Sequence, residues 1–225
     1  MTRPHPGKYK RDQDARDARI HAAIDAVTEL ACRGGYEAVL MRDVARMTGM
    51  SLATLYRYFS SKDDLLRAAS ARQLADLSHD VSDRPPPQTT PDARVAEVFI
   101  RAFHAMRRNR GYAHAALSAY HTLKPLHDGS GDLKPTRMTA PEPHRFAVIA
   151  AAAAWGPDHQ VTQSESQALD VLESLWSSSV VDWLNGKIDA DSVDERLRFA
   201  ASRLLPPSLR LQEGARTESA LPEIG

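Results

Sequence analysis

Two short apolar-periodic stretches separated by a single glycine turn constrain this chain most tightly. One spans about Met41 to Met47, the turn is Thr48-Gly49-Met50, and the other begins at Ser51, a side chain well suited to cap a helix N-terminus. Two helices this short cannot bury an apolar face alone and must pack at a steep angle against longer neighbours, which is the arrangement of a helix-turn-helix. The neighbours are legible. Ile20, Ile24, Val27, Leu30 and Ala31 fall on one face of a 3.6-residue period that stops at Gly34-Gly35. Downstream, Ser61 and Asp64 stand at capping-box spacing and open a helix carrying Leu65, Leu66, Ala69, Leu74 and Leu77, which ends before Arg84-Pro85-Pro86-Pro87.

The same period continues beyond the prolines, and alternating strand-like runs bounded by turn residues are lacking, so the expected fold class is all-α. Helices are expected over about 92–109, 112–123, 144–155, 164–185 and 192–205. The last two open with Ser164/Gln167 and Ser192/Glu195 as capping boxes, and residues 125–143 form a long loop. The resulting division is a basic N-terminal arm (1–13), a three-helix helix-turn-helix domain (14–60), a larger helical domain (61–207, with 61–83 as connecting helix) and a disordered tail (208–225).

Composition excludes several function classes. One cysteine among 225 residues, Cys32, rules out an intramolecular disulfide framework. The nine histidines, His104, His114 and His121 among them, make no metal-ligand spacing, and neither metal nor cofactor is expected. The longest apolar run, Ala147 to Trp155, is far too short to cross a bilayer, and the N-terminus has no apolar leader, so a cytoplasmic location with no membrane partner is expected. No nucleophile-base pair, phosphate-cradling glycine loop or carboxylate motif stands out, and the chain is read as not an enzyme. Net charge is zero overall, yet residues 1–72 hold 13 Lys/Arg against 9 Asp/Glu, an excess suited to a polyanion such as nucleic acid. Ser51, Thr54, Tyr56, Arg57, Tyr58 and Lys62 cluster as donors around the second short helix, as duplex phosphates require.

Residues 34–62, GGYEAVLMRDVARMTGMSLATLYRYFSSK, resemble the DNA-binding segment of the TetR family of bacterial transcriptional regulators. The matching elements are Gly35-Tyr36, Arg42-Asp43-Val44-Ala45, Gly49-Met50-Ser51, Leu55-Tyr56-Arg57-Tyr58-Phe59 and Lys62. One departure is Leu40, which stands where that family often has a Ser or Thr cap; the missing cap is worth about 1 kcal/mol. The resemblance implies that Thr54, Tyr56 and Lys62 hold the DNA backbone, while Arg42, Leu52, Ala53 and Tyr58 approach base edges. The basic residues Arg3, Lys8, Lys10 and Arg11 either enter a minor groove or solubilise the terminus.

The resemblance further implies a homodimer on a palindromic double-stranded DNA operator, pairing through the last two helices. Leu172, Leu175, Ser179, Trp183, Leu197, Ala201 and Leu204 are the expected interface. Phe99, Phe103, Met106, Tyr120, Phe146, Ile149 and Trp176 are the expected lining of an effector cavity, or equally of a solid core. The runs GGYEAVLMR, AMRRNRGYAHAALSAY and WSSSVVDWLNG are similar to a sub-family that represses sterol catabolism in actinobacteria. That likeness implies a bulky apolar effector, an acyl-CoA or steroid derivative, with Arg107, Arg108 or Arg110 at the pocket mouth. The function expected is a ligand-responsive repressor in which effector tilts the helix Ser61 to Val81; the alternative is a DNA-binding activator or structural protein without effector.

Overall fold

The structure is a computed structural model that describes residues 6–121 and 145–205, with side chains from Gln13 and Phe146 onward in the two segments. The described residues form nine α-helices and no strand. In chain order they are α1 (Pro6–Ala38), α2 (Met41–Thr48), α3 (Leu52–Tyr58), α4 (Lys62–Asp83), α5 (Pro91–Arg107), α6 (Arg110–His121), α7 (Arg145–Trp155), α8 (Gln163–Leu184) and α9 (Ala190–Leu204). The expected loop over 125–143 and the tail from Ser208 lie outside the described residues, as do Arg3 and the side chains of Lys8, Lys10 and Arg11. The backbone is already helical at Pro6, within the segment read as an arm.

Two apolar cores organise these helices. The first gathers Ala23, Ile24, Val27 and Ala31 of α1, Val44 and Ala45 of α2, Leu55 of α3, Phe59, and Leu65, Leu66 and Ala69 of α4. Tyr112, Ala115, Ala116 and Ala119 of α6 complete it, so a helix from beyond the proline cluster closes the N-terminal unit. The second core takes Leu77 and Val81 of α4, Val95, Phe99 and Phe103 of α5, Ala150 and Ala154 of α7, Leu169 and Leu172 of α8, and Leu197 and Ala201 of α9. Thus α4 has its first two turns in one core and its last turns in the other, which makes it a mechanical link between them.

Helix ends follow local chemistry, with two corrections to the expected starts. The α1 helix breaks at Gly34-Gly35, where Gly35 sits at φ 69°, ψ −156°, a conformation open to glycine alone, and one further turn follows to Ala38. Helix α8 begins at Thr162, not Ser164. The Thr162 hydroxyl accepts from the Glu165 N–H, and the Glu165 carboxylate accepts from the Thr162 N–H at 2.8 Å. Both Thr162/Glu165 and Ser164/Gln167 satisfy the spacing, and the earlier pair wins because a carboxylate is the stronger acceptor and His159 adds a third partner at 3.0 Å. Helix α9 begins at Asp189, whose carboxylate accepts from the Ser192 N–H, three residues ahead of the expected Ser192 cap. The expected opening of α4 at Ser61 holds, since its hydroxyl accepts from the Asp64 N–H.

Candidate nucleic-acid interface

The geometry of the two short helices is set by four local devices. Gly49 closes α2 at φ 67°, a left-handed turn that lets the chain reverse within two residues. Ser51 caps α3: its Oγ accepts from the Thr54 N–H at 3.1 Å and shares a hydrogen bond with Thr54 Oγ at 2.8 Å. Leu55 and Phe59 are fully buried and pin the inner face of α3 to the first core. Leu40, at the N-cap of α2, makes no side-chain cap bond, as its side chain dictates.

What remains outward is the face expected to meet DNA. Leu52 is 42% and Tyr56 49% exposed, and Ala53, Arg57 and, on α2, Arg42 are exposed beside them. Thr54 and Tyr58 are half-buried, Tyr58 packing against the first core. The acids of this face are engaged locally: Asp43 pairs with Arg46 at 3.0 Å, and Asp64 with Arg67 at 2.9 Å. Arg42 and Arg57 make no ion pair or side-chain hydrogen bond among the described residues, so the face presents uncompensated positive charge on a rigid, capped helix pair. Lys62 is anchored at its base. Its ammonium lies 3.6 Å from the centroid of the Tyr36 ring and donates to the Tyr36 carbonyl at 3.3 Å.

In the larger half, the residues expected to line a cavity form an interlocked aromatic stack. Phe99 meets Phe146 edge-on at 4.4 Å between centroids, Phe146 meets Trp176 at 5.4 Å, and Phe103 meets Trp183 at 5.4 Å. The Trp176 indole N–H donates to the Phe99 carbonyl at 3.0 Å. Met106 and Ile149 are half-buried against that core, whereas Tyr120 is 54% exposed. Tyr120 instead borders an open pocket of about 720 Å³ between α6 and α8, with His121, Asp170, Glu173, Ser174, Ser177, Ser178, Val181 and Asp182. His121 Nε2 and Ser177 Oγ meet across it at 2.8 Å. Arg110, expected at a pocket mouth, stacks on Trp183 and donates to the Leu184 carbonyl at 2.7 Å, closing the end of α8.

The expected dimer stripe requires correction. Leu172, Leu197 and Ala201 are wholly buried inside the chain's own second core, and Ser179 is equally buried. Their periodicity marks the face turned toward the chain's own helices rather than toward a partner. Leu175 and Trp183 are half-buried, and Leu204 lies at the surface. The large apolar groups that α8 and α9 expose are Val171, Leu204 and, at 64%, Phe199. His104 pairs with Asp194 at 3.0 Å and His159 with Glu165, and no group of three metal-ligating side chains occurs among the described residues. No described helix is long and apolar enough to cross a membrane.

A capped helix pair on a cationic face, carried by a helical body, defines a helix-turn-helix regulator. Residues 23–69 match the model of the bacterial regulatory proteins of the tetR family. Over most of its length it is similar to the HTH-type transcriptional repressor KstR. It is 29% identical to KstR of Rhodococcus jostii strain RHA1 over 207 residues, 92% of each chain. It is also 29% identical to KstR of Mycobacterium tuberculosis over 192 residues, 85% of this chain and 83% of the relative. A crystal structure of a TetR transcriptional regulator from Rhodococcus sp. RHA1 superposes with a TM-score of 0.72 at 26% identity, covering 87% of this chain and 98% of that one. These relatives are regulators and not enzymes, in line with the sequence reading.

Proposed function

We propose that this chain is a ligand-responsive transcriptional repressor that binds a palindromic operator as a homodimer in the cytoplasm. The observation that carries the DNA-binding part is the exposed face of α3: Leu52, Ala53, Tyr56 and Arg57 point outward while Leu55 and Phe59 lock the helix from behind. Tyr56, Thr54, Ser51 and Lys62 hold phosphates, and Arg42, Leu52, Ala53, Arg57 and Tyr58 approach the major groove. The repressor assignment draws on the KstR likeness.

Dimerisation supplies the second half-site, about 34 Å away along the duplex. The outer faces of α8 and α9, where Val171, Leu175, Phe199 and Leu204 lie, are the surface we assign to it. The effector enters the pocket between α6 and α8 beside Tyr120, and an apolar acyl or steroid-CoA compound would have to part the Phe99–Phe146–Trp176 stack. A hundredfold loss of DNA affinity requires the effector to favour the DNA-incompetent state by about 2.7 kcal/mol. That tightly interlocked stack favours a second reading, DNA binding without an effector.

The test is to select bound fragments from the source genome and measure their affinity by fluorescence anisotropy against salt. A steep fall with salt is expected, and Tyr56→Ala and Lys62→Ala should weaken all sequences alike. Binding indifferent to salt would refute the phosphate assignments. Adding acyl-CoA and steroid-CoA esters to the complex separates the two readings: release supports the first, and unchanged anisotropy at saturating ester supports the second.

A further inference from the structure

Tyr36 follows the glycine break of α1 and lies opposite the first turn of α4, 26 residues further along the chain. It engages both of the oppositely charged residues that open α4. The Lys62 ammonium sits over its ring at 3.6 Å and donates to its carbonyl at 3.3 Å, while its hydroxyl donates to Asp63 Oδ1 at 2.6 Å. Lys62 and Asp63 themselves form no ion pair within 4 Å. One aromatic residue therefore engages both charges, and they are held apart from each other.

The consequence for a polyanion is direct. An ammonium over an aromatic face keeps its full charge and is held by the ring quadrupole, whereas an ammonium paired with a carboxylate presents a phosphate with almost no net charge. A carboxylate released from the tyrosine hydroxyl would also stand close to the DNA backbone and repel it. We propose that Tyr36 is a positioning residue for DNA binding: it holds Lys62 as an unpaired cation and ties back the Asp63 carboxylate, so that the operator backbone meets one positive charge instead of an ion pair. The inference rests on the reading that Lys62 contacts a phosphate.

The experiment compares Tyr36→Phe, Lys62→Ala, Asp63→Asn and the doubles Tyr36→Phe/Asp63→Asn and Tyr36→Phe/Lys62→Ala. Each full-length protein is titrated against a labelled duplex recovered by genomic selection, at several salt concentrations. Tyr36→Phe keeps the ring and its packing and removes only the hydroxyl. It should raise Kd about threefold and lower the salt slope in the same direction as Lys62→Ala but by less than its about 1 per protomer. The freed Asp63 carboxylate offsets the Lys62 charge, while the ring and the Tyr36 carbonyl still hold the ammonium. Adding Asp63→Asn should restore both affinity and slope to Tyr36→Phe, and Tyr36→Phe should change little in the Lys62→Ala background. A purely structural tyrosine would shift thermal stability without altering the slope and would gain nothing from Asp63→Asn. A normal loss in Lys62→Ala beside an unaltered Tyr36→Phe, or failure of Asp63→Asn to rescue, overturns this inference alone. Equal slopes for wild type and Lys62→Ala overturn the phosphate reading and this inference with it.

Discussion

Replacing Gly111 by alanine tests how tightly the larger half is fastened to the DNA reader. Gly111 lies in the first turn of α6 at an ordinary φ, so alanine suits the local conformation and gains about 1 kcal/mol of helix propensity. Space decides against it. A Cβ there would stand 2.6 Å from the Ala31 carbonyl oxygen, 3.0 Å from that of Cys32 and 3.2 Å from Asn109 Oδ1. An ordinary carbon–oxygen contact is about 3.3 Å, so α6 would have to withdraw from α1 by about 0.7 Å. The first two obstacles are backbone carbonyls in the last turn of α1 before its break, and unlike a side chain they cannot rotate aside. Withdrawal would also loosen Ala115, Ala116 and Ala119, which pack in the same core and have no longer side chain with which to follow. Overpacking of this kind costs up to about 3 kcal/mol. Less the propensity gain, the net loss is about 2 kcal/mol, and for a chain of this length the melting temperature should fall by about 4–8 °C. Calorimetry on wild type and Gly111→Ala at matched protein concentration reads the shift. An unchanged or higher melting temperature would refute the reasoning, since it would mean that the α1–α6 seam has room to spare.

Leu40→Ser should supply the N-cap that α2 lacks, about 1 kcal/mol, but Leu40 is only 39% exposed and loses burial of about the same worth, so a urea titration should read a net change within about 0.5 kcal/mol. Burial alone would raise the Glu165 carboxyl, but the Thr162 N–H, the His159 ring and the Thr162 hydroxyl together hold it below its ordinary 4.5. A carboxyl lowered on folding contributes stability that is complete above that ordinary value and is lost as pH falls through the folded one. Glu165→Gln should therefore cost about 1 kcal/mol at neutral pH and flatten the acid limb of the urea midpoint below pH 4.5. Leu172→Ala and Leu197→Ala should each cost about 2–5 kcal/mol of unfolding free energy, whereas Phe199→Ser should stay within about 0.5 kcal/mol. If α9 pairs with a second copy, Phe199→Ser should instead shift the monomer–dimer equilibrium read by analytical ultracentrifugation.

How much of this was legible in the sequence depends on whether the signal was local. The helix-turn-helix was readable because Gly34-Gly35, Gly49 and the Ser51 and Ser61 caps act within four residues of themselves, and chain spacing reports such contacts directly. The stripe on α8 is readable as a stripe, but a 3.6-residue period identifies a face and not what covers it, so the spacing of Leu172 and Ser179 fits a partner as well as the interior in which both are buried. The α8 cap was ambiguous because two overlapping pairs fit the same rule, and the chain's choice involves His159, outside the pattern. Gly111 shows the limit from the other side. Read alone it marks a helix end, yet it lies inside α6, where a side chain would collide with the Ala31 carbonyl. The recurrence of Gly111, Ala115 and Ala119 at four-residue intervals was the available sign that this face meets backbone closely. The Tyr36, Lys62 and Asp63 contacts had no such sign. Gly35-Tyr36 is legible as the end of a helix and Lys62-Asp63 as the start of another, but only the packing of α1 against α4 brings the ring beneath the ammonium. Contacts of that kind depend on how two helices cross, and that crossing is fixed by Ile24, Val27, Leu65 and Leu66 in the core rather than by the residues that bear the charge.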